Sequence, residues 1–228
     1  MLIQQAFEKE GGTFLNSAEE IAGKLKEIRC FVFDWDGVFN KGVKTELKGS
    51  PFSEPDSMGL NMLRFSYWLL HGELPVTAII TGENNLSAVD FAKREHLNAV
   101  YLNTKNKKEA LTHLTNNYSI DPSQTAFVFD DILDLALAES CLLSFCIKRS
   151  ASPLFTEFVT NNKLANYITA KEGGEHAVRE ITELLIGLNG NYNETVSKRM
   201  EHIGDYKKYI TTRNSVIVEI PKTSANKK

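Results

Sequence analysis

Short runs of apolar residues alternate along the chain with longer segments in which apolar residues recur every three or four positions. Five runs have the length and apolar content of buried β-strands: 30–33, 76–80, 99–102, 125–129 and 142–147. Four intervening segments have the spacing of amphipathic helices: 58–70, 86–96, 107–118 and 131–139. Strands that alternate with helices indicate a parallel sheet with helices on both faces, and right-handed crossovers restrict it to a doubly wound, Rossmann-like α/β fold.

Two segments depart from this alternation. Between Val38 and Ser57, apolar residues alternate with charged ones, and glycines flank the pattern, which predicts a β-hairpin directly after the first strand. Beyond a helical stripe from Val178 to Leu188 the chain is mostly polar, and we expect this tail to be partly ordered at best. We therefore divide the chain into an N-terminal helical extension (1–28), a core (29–188) and a C-terminal tail (189–228).

Composition and charge exclude several classes of protein. Of the 228 residues, 42% are hydrophobic, which excludes disorder as the main state. The net charge of −3 gives no basic field that would attract nucleic acid or an anionic membrane. No apolar run approaches the roughly 18 residues of a membrane span, and no signal peptide is visible. Three cysteines without a CxxC pair suit free thiols, so we expect a cytoplasmic protein.

Polar residues directly follow the predicted strands, where parallel sheets bind their ligands. The first strand is followed by Asp34 and Asp36, the second by Thr81 and Gly82, the third by Lys105, Lys107 and Lys108, and the fourth by Asp130, Asp131 and Asp134. The pair Lys148-Arg149 follows the fifth strand and is either exposed or close to the same edge. One edge of the predicted sheet thus carries carboxylates, a hydroxyl and ammonium groups.

These residue types suit phosphoryl transfer. Carboxylates packed together repel one another, and a divalent cation removes that cost; an all-oxygen ligand set with several waters suits Mg²⁺. Because Asp34 and Asp36 are two apart in an extended segment, both can address one bound group, one by attack and the other by proton transfer. Thr81 and Lys107 supply a donor and a positive charge for the oxygens of an anion. The set therefore predicts a reaction through an aspartyl-phosphate.

The sequence around these residues resembles a known superfamily. Residues 34–38, Asp-Trp-Asp-Gly-Val, resemble the DxDGV signature of the haloacid dehalogenase (HAD) phosphatases. Segment 79–82 looks like the second motif, and segment 129–134 looks like the acidic fourth motif. Lys107 fits the third-motif lysine by its ungapped spacing from Thr81, with Lys105 and Lys108 as alternatives. A DxD pair alone is weak, but four motifs in the right order at strand ends are specific.

A closer resemblance is to the capless 3-deoxy-D-manno-octulosonate 8-phosphate (KDO 8-phosphate) phosphatase branch of this superfamily. It rests on the hairpin after the first motif, on residues 56–63 and on residues 172–180, and it extends from about residue 30 to residue 188. Neither the N-terminal extension nor the tail is covered. Within it, Gly173-Gly174 is either a simple turn or a part of the substrate-facing rim.

The resemblance implies a role for each matched residue. Asp34 would be the nucleophile and a Mg²⁺ ligand, and Asp36 would be the general acid/base with its backbone carbonyl on the metal. Asp130 would complete the protein ligands. The remaining matched residues would hold the phosphoryl oxygens (Thr81, Gly82, Lys107) or orient the metal's waters and the lysine (Asp131, Asp134).

The short gaps between the motifs also bear on assembly. Residues 37–80 must hold the hairpin, a helix and a strand, and residues 82–106 hold a helix and a strand, so that no cap domain fits. An open site leaves an aspartyl-phosphate exposed to water. The capless branch forms tetramers, so the resemblance implies a homo-oligomer, most simply a tetramer, in which a neighbouring subunit covers the site.

This sequence departs from the branch at three positions where the branch usually has an arginine: they are Pro55, Glu83 and Phe91 here. Without them the carboxylate of an α-keto sugar acid has fewer partners. We therefore predict a Mg²⁺-dependent phosphomonoesterase for a small phosphorylated sugar or sugar acid, for which KDO 8-phosphate is not the best substrate. One alternative is a degenerate relative that binds a phosphorylated ligand or partner without turnover. The intact motif residues of this chain argue against that alternative. The other, a signalling receiver domain, lacks the DxDG arrangement.

Overall fold

The computed structural model describes residues 2–44 and 50–221, and its centre is a seven-stranded sheet. The strands are β1 (Thr13–Phe14), β2 (Cys30–Phe33), β3 (Val76–Ile80), β4 (Ala99–Tyr101), β5 (Thr125–Phe129), β6 (Leu143–Lys148) and β7 (Tyr167–Glu172). They lie in the order β1-β7-β6-β5-β2-β3-β4, and every pair is parallel except β1 with β7. The predicted α/β sheet is confirmed.

Helices pack on both faces of this sheet. Those in the described residues are α1 (Ile3–Lys9), α2 (Ala18–Leu25), α3 (Glu54–His71), α4 (Leu86–Glu95), α5 (Lys107–Tyr118), α6 (Leu135–Ala138), α7 (Pro153–Asn161), α8 (Ala177–Leu188), α9 (Tyr192–Glu201) and α10 (Gly204–Asn214). Since strand side chains alternate between faces, Phe31 and Phe33 join a core with α2, α3, α4 and α8. Cys30 and Val32 join a second core with α5, α6 and α7.

The strand bounds follow the apolar runs closely. β2, β3 and β5 have the predicted bounds, and β4 and β6 differ by a single residue at their ends. β1 and β7 were not predicted, because β1 has only two residues and β7 ends in the polar residues Lys171 and Glu172. In the described residues no helix is both long enough and apolar enough to cross a membrane.

The β-hairpin predicted for the segment after β2 falls partly on residues that the structure does not describe. Its centre, residues 45–49, lies outside the described residues. In the described parts of 38–57 the sole strand-like pairing is one bridge between Asp36 and Asn40. The predicted end at Ser57 is wrong, because Ser53 caps α3 by accepting a hydrogen bond from the backbone N–H of Asp56. In the described residues between the motifs there is no cap domain.

The C-terminal tail is more ordered than predicted. α9 and α10 pack against α3, where Tyr209 is fully buried and donates its hydroxyl hydrogen bond to the backbone carbonyl of Asn61 at 3.0 Å. The ring of Phe65 lies 5.0 Å from the rings of both Tyr206 and Tyr209. The polar composition of the tail hid this contact, because the few aromatic residues lie on one face of α10 and find their partners on α3.

The two ends of the described chain cover the two edges of the sheet. On one side β1 pairs with β7, with Thr13 opposite Ile168. On the other side the backbone N–H of Val100 donates to the carbonyl of Glu219, and the N–H of Glu219 donates to Asn98, both at 2.9 Å. The edge strands β7 and β4 therefore have backbone partners on their outer sides.

Candidate active site

The ends of β2, β3 and β5 and the start of α5 surround one cavity of about 270 Å³. The parallel register places Phe33 beside Val128 and Ile79, so that the residues following each strand emerge at the same edge. All eight residues proposed from the sequence line this cavity: Asp34, Asp36, Thr81, Gly82, Lys107, Asp130, Asp131 and Asp134.

Three of the carboxylates form a buried cluster. Asp34, Asp130 and Asp134 each offer an oxygen within 4.8 Å of the others. Burial raises the pKa of Asp130, and the charge of Asp34 raises it further; the same two causes raise the pKa of Asp134. Ionised carboxylates this close require positive charge between them. A compact set of oxygen donors is what Mg²⁺ binds in proteins, so the cluster fits that metal.

Lys107 supplies one positive charge to the cluster. It is only 5% exposed, its Nζ lies 2.7 Å from Asp34 Oδ1, and it also ion-pairs with Asp134. Burial by itself lowers the pKa of this lysine, but the charges of Asp34 and Asp134 outweigh burial, and the pKa is raised. Lys105 and Lys108 are exposed, and Lys105 pairs with Glu83 at 2.6 Å instead. Of the three candidate lysines, Lys107 is the one that contacts the carboxylates.

Asp36 lies outside the buried cluster and has its own partners. Its Oδ2 accepts a hydrogen bond from Asn85 Nδ2 at 2.8 Å and ion-pairs with Lys44. Its Oδ1 lies 3.1 Å from Ser50 Oγ, whose single proton also has the backbone carbonyl of Val43 as an acceptor at 2.6 Å. Asn85 Nδ2 also donates to Thr81 Oγ1, at 2.7 Å. The motifs do not include Lys44, Ser50 and Asn85, and sequence reasoning missed all three.

Two glycines allow the loops around the site to approach closely. Gly37 has φ of +81°, and a Cβ there would lie 1.9 Å from Asp130 Oδ2. A Cβ at Gly173 would lie 1.9 Å from the backbone oxygen of Gly37. Next to it, Glu175 pairs at 2.8 Å with Lys41, which lines the cavity. The pair Gly173-Gly174 thus lies against the loop that follows Asp36, at the rim of the cavity.

Arg149 and Asp131 also line the cavity. Arg149 follows β6, is about one-third exposed and ion-pairs with the buried Asp130. Asp131 is exposed; its Oδ1 accepts from the backbone N–H of Ile132 at 2.7 Å, and its Oδ2 lies 3.8 Å from Arg149. Asp131 therefore lies at the edge of the site, whereas Asp134 belongs to the buried cluster.

The three positions without the expected arginines differ in their surroundings. Glu83 lines the cavity. Pro55 lies in the first turn of α3, where proline is favoured. Phe91 is fully buried, with its ring 4.8 to 5.5 Å from three aromatic rings: Trp35, Phe39 and Phe52. Phe91 therefore contributes to the core and offers no charge to a ligand.

Comparisons with known proteins show which proteins this chain resembles. No family model matches the chain. The 3-deoxy-D-manno-octulosonate 8-phosphate phosphatase KdsC of Escherichia coli K12 is 31% identical over 184 residues, which are 78% of this chain and 89% of the relative. KdsC of Salmonella typhi is 30% identical over 177 residues, 75% of this chain and 86% of the relative.

Solved structures give the same result. The phosphatase of the same name from Moraxella catarrhalis, in complex with magnesium, phosphate and KDO, has a TM-score of 0.66 and 26% identity, covering 79% of this chain and 98% of that chain. A Legionella pneumophila structure assigned to the HAD superfamily, subfamily III A, has a TM-score of 0.66 and 25% identity, covering 80% of this chain and 94% of that chain. The chain belongs to the KDO 8-phosphate phosphatase family, a capless branch of the HAD superfamily.

Proposed function

We propose that the protein is a Mg²⁺-dependent phosphomonoesterase that hydrolyses a small phosphorylated sugar or sugar acid through an aspartyl-phosphate on Asp34. The observation that carries this proposal is the buried cluster of Asp34, Asp130 and Asp134 beside a buried Lys107, at the carboxyl ends of the parallel strands. Its relatives are named phosphatases, and one was solved with magnesium, phosphate and KDO.

The roles proposed for the residues are those that the family resemblance implies. Asp34 and Asp130, with the backbone carbonyl of Asp36, would hold the Mg²⁺, which supplies positive charge to the phosphoryl oxygens. Asp34 attacks phosphorus as the ester P–O bond breaks, and Asp36 gives its proton to the departing oxygen. Asp36 then takes a proton from the water that hydrolyses the aspartyl-phosphate. Thr81 and Lys107 stabilise the charge on the phosphoryl oxygens.

The direct test is phosphate release from an aryl phosphate, measured with Mg²⁺ and after chelation. We expect turnover with the metal and none without it, because the clustered carboxylates repel the incoming phosphate when no cation is bound. A protein that binds inorganic phosphate with Mg²⁺ but releases none from any ester would instead support the alternative of a binding protein without turnover.

Substrate choice is expected to differ from that of the relatives. The cavity has Glu83 at one of the three arginine positions, and Phe91 lies in the core, so the carboxylate of KDO 8-phosphate finds fewer partners there. In a panel of phosphorylated sugars and sugar acids, we expect KDO 8-phosphate not to have the highest kcat/KM. A clear preference for it over every neutral sugar phosphate would contradict this prediction.

We also propose a homo-oligomer, most simply a tetramer. The cavity is open to solvent and is covered by no cap domain in the described residues, so a neighbouring subunit is the natural cover. Light scattering at micromolar concentration is expected to give a mass near four times 25.6 kDa. A monomer that turns over substrate at that concentration would refute this. A cytoplasmic location, without nucleic-acid or membrane partners, stays a prediction.

A further inference from the structure

We propose that Asn85 is a positioning residue for this reaction. Its side-chain amide holds the carboxylate of Asp36 and fixes the hydroxyl of Thr81 as a hydrogen-bond donor to the phosphoryl group. The inference rests on the proposed function, and it assigns a task to a residue outside the four motifs.

The orientation of the Asn85 amide follows from its neighbours. The side chain is 1% exposed; Nδ2 lies 2.8 Å from Asp36 Oδ2, and Oδ1 lies 3.3 Å from Lys44 Nζ. An ammonium only donates hydrogen bonds, so the group that faces Lys44 must be an acceptor. The amide NH₂ must therefore face Asp36, and the amide oxygen must face Lys44.

This orientation determines what Thr81 can do. Asn85 Nδ2 lies 2.7 Å from Thr81 Oγ1, so the hydroxyl oxygen accepts this hydrogen bond. The backbone N–H of Glu83 approaches the same oxygen at 3.5 Å. A hydroxyl has one proton, and accepting a hydrogen bond does not use it. Since Thr81 lines the cavity, that proton is left for an acceptor there, which in the proposed function is a phosphoryl oxygen.

The same amide restrains Asp36. Its Oδ2 is held by the amide of Asn85 and by the ammonium of Lys44. One NH₂ group thereby links the proton donor for the leaving group to the donor for the phosphate. A displacement of either group by about 1 Å is enough to cost on the order of 100-fold in rate.

Asn85 could instead serve only to begin α4. It stands at the N-cap position, where asparagine is favoured, but its side chain makes no capping hydrogen bond. A residue that acts only as a cap would be replaced without loss by aspartate, which caps equally well and interacts favourably with the helix dipole. Aspartate has the same shape but cannot donate, and it places a second carboxylate against Asp36.

The test compares Asn85→Asp and Asn85→Ala with the wild type on an aryl and an alkyl phosphate. We expect Asn85→Asp to lower kcat at least about 100-fold on both esters. Asn85→Ala is expected to lower kcat more on the alkyl phosphate, whose leaving group needs the proton from Asp36. The matched control is Asn106→Asp, at the exposed N-cap of α5, which also lacks a side-chain capping bond and should keep its activity.

A second measurement tests, without turnover, whether Asn85 orients the Thr81 hydroxyl toward a bound phosphate. Calorimetry with inorganic phosphate and Mg²⁺ is expected to show binding at least about tenfold weaker in Asn85→Ala, since the phosphate loses an oriented donor. Near-wild-type kcat in Asn85→Asp would overturn the proposal. So would an equal loss on both esters in Asn85→Ala together with unchanged phosphate binding. A wild-type protein that releases no phosphate would refute the proposed function instead, and the calorimetry would still decide whether Asn85 orients Thr81.

Discussion

Replacing Asp34 with asparagine is expected to abolish turnover while the fold survives. The amide has the size of the carboxylate but cannot attack phosphorus, so kcat should fall at least about 10⁴-fold. Lys107 keeps Asp134 as its ionic partner. Loss of one of three clustered negative charges also removes a cause of the raised pKa of Asp130. Phosphate release with and without Mg²⁺ measures the loss of turnover. Thermal unfolding with and without Mg²⁺ measures the change in stability.

The thermal data have their own expected pattern. Without metal the Asp34→Asn variant should melt no earlier than the wild type, because repulsion within the cluster is relieved. With Mg²⁺ it should gain less stability than the wild type, because one ligand is weaker. Asp205→Asn removes the same charge from α10, away from the cavity, and serves as the control. Near-native turnover of Asp34→Asn would rule out the covalent mechanism.

Asp36→Asn is expected to slow both chemical steps. Asparagine can neither protonate the departing oxygen nor take a proton from water, so kcat should fall by about 10² to 10⁴. The loss should be greater for alkyl than for aryl phosphates, because an aryl oxide leaves without a full proton. Steady-state kinetics on a matched pair of esters measures this difference.

The two variants should also differ before the steady state. In Asp36→Asn the nucleophile Asp34 is intact but hydrolysis of the aspartyl-phosphate is slowed, so the aryl alcohol should be released in a burst close to one equivalent per site. Asp34→Asn should show no burst. Equal losses on aryl and alkyl esters, together with no burst, would mean that Asp36 only supports the structure.

The sequence was most informative where a single local pattern sufficed. Central strands such as β2 and β5 are buried on both faces, so all of their side chains are apolar or small. Their bounds could therefore be predicted from the apolar runs in the sequence. Because the strands are parallel, the motif residues that follow them all lie at the same edge of the sheet. For this reason the acids, Thr81 and Lys107 could be placed at one edge without coordinates.

Other features depend on contacts between distant residues, which no local pattern contains. Asn85 meets Asp36 49 positions away, and Tyr209 meets Asn61 148 positions away. α10 is polar apart from one face, and its burial is decided by α3 rather than by its own composition. β1 is too short to have a periodicity and exists because β7 offers it an edge.

The covering of both sheet edges has a consequence for how the chain behaves in solution. An uncovered edge strand presents free N–H and C=O groups to other molecules and promotes aggregation. Here β1 shields β7, and Glu219 shields β4. Neither β1 nor Glu219 is among the residues that line the cavity. Shortening the protein at either end would therefore create a self-associating surface and lower its solubility before it altered the chemistry of the site.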